Sequence, residues 1–131
     1  MTMPTPTTNV LRQPMSPQSI ALTVLCVLLI SLGQLLFKTA AMQWKVDGLS
    51  MATVAGLFSP VMIAALVIYA LATLLWVYVL RTAPLSSAYS IFALAFLIVP
   101  LLAWLVFGER LSANVLVGGG IIIVGIVVAV R

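Results

Sequence analysis

Apolar residues run through this chain in long blocks, and charged residues fall only between the blocks. The charged positions are Arg12, Lys38, Lys45, Asp47, Arg81, Glu109, Arg110 and Arg131. Between them lie uncharged runs at 13–37, 48–80, 82–108 and 111–130, of 25, 33, 27 and 20 residues. A helix needs about 20 mostly apolar residues to cross the hydrocarbon core of a bilayer. Lipid offers no partners to free backbone groups, so a crossing segment of this kind must be helical. The pattern therefore predicts an all-α integral membrane protein with spans at about 19–39, 60–80, 85–107 and 112–130.

Local signals place the ends of these spans. Ser59-Pro60 opens the second: serine caps free N–H groups, and proline suits the first helical position. Ala83-Pro84-Leu85-Ser86 repeats the device for the third. Pro100 lies within the third span and is expected to kink it, because it has no N–H and crowds the preceding turn. Gly108-Glu109-Arg110 reads as a tight polar hairpin, and Ser112 as the cap of the fourth span. Leu49–Phe58 is open between a short interfacial helix and an extension of the second span. Residues 1–17, rich in Thr, Pro and Ser, read as a flexible polar leader. Ile20–Leu32 has the look of a secretory signal, but no small-residue cleavage site follows it, so it is taken as a retained first helix.

Composition excludes several classes. Hydrophobic residues make up 64% of the chain, against roughly 45–50% in soluble domains. With no His and one Cys, zinc sites, Cys-His catalysis and internal disulfides fall away, and Cys26 reads as helix packing. Asp47 and Glu109 are far apart in sequence, which leaves no pair for acid–base work, so neither an enzyme nor a metal or cofactor site is expected. Six scattered basic residues and a net charge of +4 do not make a nucleic-acid surface. Gly118-Gly119-Gly120 lacks the Lys-Ser/Thr of a nucleotide-binding loop, so any driving force is a gradient or consumption of product. Arg12, Arg81 and Arg131 fall on one side of the four spans, and Lys38, Lys45 and Arg110 on the other. That balance gives no orientation by the positive-inside rule and is compatible with dual topology.

Polar residues inside the spans are the candidates for function, since they face a bundle interior or a cavity. Ser31, Gln34 and Lys38 share one face of the first helix. Lys38 is either a snorkelling lysine near the helix end or an anion site, with Gln34 supplying amide hydrogen bonds. Tyr69, Thr73 and Trp76 form a comparable face on the second helix. Tyr89, Phe92 and Phe96 form an aromatic stripe on the third, suited to packing or binding, and Tyr89 stands out because a buried hydroxyl needs a partner. Gly118, Ile122, Gly125 and Ala129 form a groove on the fourth helix, for a dimer partner or for packing within the chain. Glu109 and Arg110 read either as a solvated loop pair or as part of a site.

Several runs recur together in a known order: Leu32-Gly33-Gln34-Leu35-Leu36-Phe37-Lys38-Thr39-Ala40, Trp76 with Val79-Leu80, Ala83-Pro84-Leu85, Ala88-Tyr89, and Phe107-Gly108-Glu109-Arg110-Leu111. With the glycine-rich last helix, this ensemble resembles the short four-helix members of the drug/metabolite transporter superfamily. It covers nearly the whole chain beyond the leader. Among those members, the small multidrug resistance proteins export cations through a membrane-embedded glutamate in the first helix. Setting Gly33 and Lys38 on that family's Gly and Lys puts the glutamate at Ile30, where no carboxylate stands.

The chain is more similar to the subunits that move undecaprenyl-phosphate-linked aminoarabinose across the bacterial inner membrane. That resemblance implies a transporter or flippase for a polyprenyl-phosphate-linked sugar, with Gln34, Lys38, Trp76, Tyr89 and Glu109 as substrate contacts. It implies Lys38 as the phosphate contact, with Arg81 the less favoured alternative from the opposite side, and Glu109 drawing the amino group of the sugar. Trp76 and Tyr89 then offer aromatic surface to the sugar or the prenyl chain. Four helices are few for a headgroup path, so a homodimer or a heterodimer with a similar four-helix chain is expected, with Gly118, Gly125 and Ala129 at the packing face. The alternatives are an exporter of small organic cations or metabolites, with its acidic site supplied by a partner, and a non-transporting assembly subunit.

Overall fold

The computed structural model describes residues 14–45 and 48–130. Among these residues the elements are helices α1 (Pro17–Gln43), α2 (Met51–Gly56), α3 (Pro60–Thr82), α4 (Leu85–Phe92), α5 (Ala95–Phe107) and α6 (Ala113–Val130). Four stretches are long and apolar enough to cross a membrane: α1, α3, the α4–α5 pair taken together, and α6. Of the polar leader expected over 1–17, residues 1–13 lie outside the described residues. Its last part already serves the fold, since the Ser16 side chain accepts the Ser19 N–H at 3.1 Å and Pro17 takes a first-turn position of α1.

The first span extends beyond the expected 19–39 at both ends. Its C-terminal extension meets α2, which is a separate six-residue helix rather than the start of α3. Trp44 fixes that junction: its Nε1–H donates to the Thr53 carbonyl at 2.8 Å. The Trp44 ring occupies the space a side chain would need at Gly56. Ser59 caps α3 through the Met62 N–H at 3.2 Å, with Pro60 behind it.

The third span departs from expectation. A single helix kinked at Pro100 is replaced by two helices, and the break falls at Ala93-Leu94, while Pro100 lies inside α5. Around the break, the N–H groups of Leu94, Phe96 and Leu97 donate to carbonyls three residues back, at 3.0, 3.1 and 3.0 Å. Such bonds wind the chain more tightly than an α-helix and realign the axis. Pro100 leaves the Phe96 carbonyl without its usual donor, and the irregularity is absorbed about a turn upstream of that carbonyl. Gly108 then ends α5 with φ +67°, a left-handed cap conformation that costs a side-chain-bearing residue about 1 kcal/mol or more.

Helix α1 is the centre of the bundle, packing on α3, α4 and α5, while α6 packs on α4 and α5. Small residues are buried along both helices, Ser19, Thr23, Cys26, Val27, Ser31 and Gly33 on α1 and Ala65, Ala72 and Val79 on α3, and of these Ser19, Cys26 and Gly33 meet α3 directly. Lipid tails are as apolar as leucine, so helices in a membrane associate through close approach of small side chains and through hydrogen bonds. Both devices operate here. Thr23 and Ser31 donate to carbonyls of their own helix at 2.7 Å, and the Cys26 thiol donates to the Ala72 carbonyl at 3.3 Å. Ser19 and Thr82 hydroxyls meet at 3.2 Å, which sets the two helices antiparallel. Cys26 is thus a packing residue, fully buried.

Of the four spans α6 is the least enclosed, with only Gly119 buried. A methyl group added at Gly119 would meet the Leu97 side chain at 2.6 Å, whereas Gly118, Gly120 and Gly125 face open space. Packing within the chain therefore uses Gly119 and not the Gly118–Gly125–Ala129 stripe.

Candidate functional site

Near the midpoint of α1 the bundle opens into a cleft of about 400 Å³, walled by α1, α3 and the α4–α5 break. Ile30, Phe92, Ala95, Phe96, Val99 and Pro100 supply its apolar walls, and Gln34 and Tyr69 its polar groups. The Gln34 amide donates to the Tyr69 hydroxyl. Phe37 packs on Tyr69 from the side, with ring centroids 5.1 Å apart. Close approach at Gly33 makes this possible, because a β-carbon there would fall 2.6 Å from the Tyr69 ring. The Phe96 side chain at the edge of the cleft is 70% exposed, so the cleft opens sideways toward lipid.

Lys38 lies one turn beyond Gln34, about 12 Å along α1 from Ile30 at 1.5 Å per residue. Its ammonium forms an ion pair with the Glu109 carboxylate in the α5–α6 turn. The Phe107 ring centroid stands 5.4 Å from the same nitrogen, within cation–π range. Both charged side chains remain a little under half exposed, as expected at a membrane–water boundary. Glu109 thus reaches back to α1 and is not simply a solvated partner for its neighbour Arg110.

The expected aromatic face divides into two. Trp76 meets Tyr89 and Phe92 edge-on, with centroids 5.6 and 5.2 Å apart. Tyr89 and Phe92 are 5.9 Å apart. Phe92 is shared between this cluster and the cleft, so Trp76 and Tyr89 stand beside the cleft rather than in its wall. Tyr89 is exposed, which removes the argument from a buried hydroxyl. Ser31 is fully buried, its hydroxyl donating to the Val27 carbonyl of its own helix, and it is not part of the cleft wall. Arg81 sits in the last turn of α3, beside the Ser19 end of α1, and is about 28 Å along the helix from Lys38. It belongs to the opposite face of the membrane domain and is not brought to this site.

Ile30, Ala95, Val99 and Pro100 are cleft residues that the sequence-based candidates omit, and Tyr69, named there for its helical face, was not among the expected substrate contacts. Tyr69 had a legible signal, since it shares a helical face with Trp76 and stands opposite the polar stripe of α1. Ile30 and Pro100 had none, because an apolar residue in an apolar helix carries no mark of which neighbour it meets.

A largely apolar cleft with a thin polar wall, with a cationic and an anionic side chain paired about a turn beyond it, in a bundle of four spans, defines the class: a small polytopic membrane protein. Three curated relatives narrow it. Two carry the name "Probable 4-amino-4-deoxy-L-arabinose-phosphoundecaprenol flippase subunit ArnE" in Aeromonas salmonicida and Pectobacterium atrosepticum, each 38% identical to the chain. The matches cover 79% and 82% of this chain and 90% and 94% of those proteins. The third, of the same name in Aeromonas hydrophila, is 35% identical over 81% of the chain and 91% of its own length. The chain belongs to the ArnE family of flippase subunits, and is a multi-pass protein of the bacterial inner membrane. No protein-family model matches it, and no solved structure does.

Proposed function

We propose that the protein is a flippase subunit that moves a polyprenyl-phosphate-linked amino sugar, aminoarabinose-like, across the inner membrane. The observation that carries this reading is the cleft itself, set in a member of the ArnE family: apolar walls open to lipid, with Gln34 and Tyr69 inside and Lys38 one turn away. The apolar walls suit a prenyl chain, and the amide and hydroxyl suit the sugar. Lys38 suits the phosphate, and Glu109, already beside Lys38, suits the amino group. Phe92, Trp76 and Tyr89 offer ring faces at the side of the cleft.

Moving a lipid requires no bond to form or break, and in this reading the protein is not an enzyme. The alternative of cation export by proton exchange is disfavoured by Ile30, which lines the cleft where the cation exporters carry their carboxylate. The exposed glycine face of α6 supports a dimeric unit, either of two such chains or of this chain with a similar four-span partner.

The reading is tested in proteoliposomes containing a synthetic aminoarabinosyl phosphopolyprenol. A membrane-impermeant amine reagent labels only the outer half of the lipid pool in protein-free vesicles. With the protein present the labelled share is expected to approach the whole pool. A share that stays at one half, with the partner subunit included, overturns the reading.

A further inference from the structure

The ion pair between Lys38 and Glu109 has a consequence for which headgroups the site accepts. Lys38 is fixed by α1, about a turn beyond the Gln34 of the cleft wall, and Glu109 by the turn after α5, so the pair ties α1 to that turn. In the empty protein each charge neutralises the other. A ligand that engages Lys38 through an anionic group must take it from Glu109, and a ligand that engages Glu109 through a cation must take it from Lys38. A headgroup with only one charge therefore exchanges one ion pair for another and leaves the second side chain, a little under half exposed, to water, so it gains little over the internal pair. A headgroup with both charges forms two pairs in exchange for one. Lys45 and Arg110 are the other cations at this end, and Glu109 is the one acidic residue there among those described.

We infer that the Lys38–Glu109 pair is a selectivity element that opens for zwitterionic headgroups, a phosphate together with an ammonium, and discriminates against polyprenyl phosphates that lack the ammonium. Phe107 contributes by holding the Lys38 ammonium near the turn while the exchange takes place, with its ring 5.4 Å away. The inference rests on the reading of the cleft as a site for a polyprenyl-phosphate-linked amino sugar, and adds that the internal pair must part for the headgroup and so discriminates by its charge.

The test measures binding to the full chain, purified in mild detergent with its partner subunit, for three probes of equal chain length. They are the aminoarabinosyl phosphopolyprenol, its N-acetylated form, and the bare phosphopolyprenol. Wild type is expected to prefer the free amine to the acetamide by about tenfold, the scale of a single charge-assisted contact. Glu109→Gln is expected to collapse that ratio to about one. Lys38→Gln is expected to weaken all three probes. The exchanged pair Lys38→Glu with Glu109→Lys keeps the internal contact and controls for folding; it is expected to recover helicity and thermal stability without restoring the preference. Equal binding of amine and acetamide by wild type overturns the inference and leaves the flippase reading standing. A preference that survives Glu109→Gln does the same. Failure of wild type to bind any of the three overturns both.

Discussion

Gln34 and Tyr69, 35 residues apart in sequence, are joined by a hydrogen bond from the Gln34 amide to the Tyr69 hydroxyl, and this contact forms the polar wall of an otherwise apolar cleft. In lipid neither group has water to turn to, so each depends on the other. Hydrogen bonds between membrane helices contribute about 0.6 kcal/mol on average and up to about 1.7. Gln34→Leu and Tyr69→Phe should each lower stability in a denaturing-detergent titration by about 1 kcal/mol. The double variant should cost less than their sum, since either change alone removes the bond. Strict additivity would show that the two side chains act independently.

Gly33 and Gly125 give a matched pair of substitutions on membrane helices. A β-carbon at Gly33 would fall 2.6 Å from the Tyr69 ring, while Gly125 faces open space. Gly33→Ala must push an aromatic ring that is itself held by Gln34 and Phe37. Overpacking of this kind costs about 1–3 kcal/mol. Gly125→Ala should be neutral for the isolated chain. Thermal unfolding of the two variants in detergent checks the contrast, and a loss of subunit association in Gly125→Ala alone would assign that face to the partner.

Ile30→Glu sets a carboxylate into the cleft wall. The expected outcome is weakened binding of a phosphopolyprenol, through repulsion of its phosphate, and newly detectable binding of a lipophilic organic cation such as tetraphenylphosphonium. Isothermal titration of both ligands against wild type and variant decides the point. Unchanged phospholipid affinity would mean that the phosphate does not come near the cleft.

Trp76 and Tyr89 touch each other but differ in burial, which separates structure from binding. Trp76→Ala removes a ring shared by two contacts, and a loss of about 2–3 kcal/mol in stability is expected from the truncation of a large, partly buried side chain. Tyr89→Ala, at an exposed position, should change stability by less than about 1 kcal/mol. If the aromatic surface serves the ligand, Tyr89→Ala still weakens binding of the sugar lipid severalfold. A Tyr89→Ala variant with unchanged affinity would confine this cluster to packing.

Much of this was determined by the sequence alone. Uncharged runs of sufficient length dictate helices, because lipid leaves backbone groups no other partner, and Ser16-Pro17, Ser59-Pro60 and Gly108 mark their ends in local chemistry. The family, too, was legible in the run from Gly33 to Lys38 and in the Glu109 hairpin. Tertiary structure decided how those residues are used. It paired Lys38 with Glu109, made Gln34 and Tyr69 partners, buried Ser31 with its hydroxyl on its own helix backbone, and left Arg81 at the far end. It also moved the break in the third span to Ala93-Leu94 and gave the packing role on α6 to Gly119. The physical reason is common to all of these. An apolar helix in a membrane is hydrophobic on every side, so its sequence states that it spans but carries almost no mark of which face meets which neighbour. That choice is made by shape, through small residues that allow close approach and a few polar groups that must find each other, and it becomes visible only once the helices are assembled.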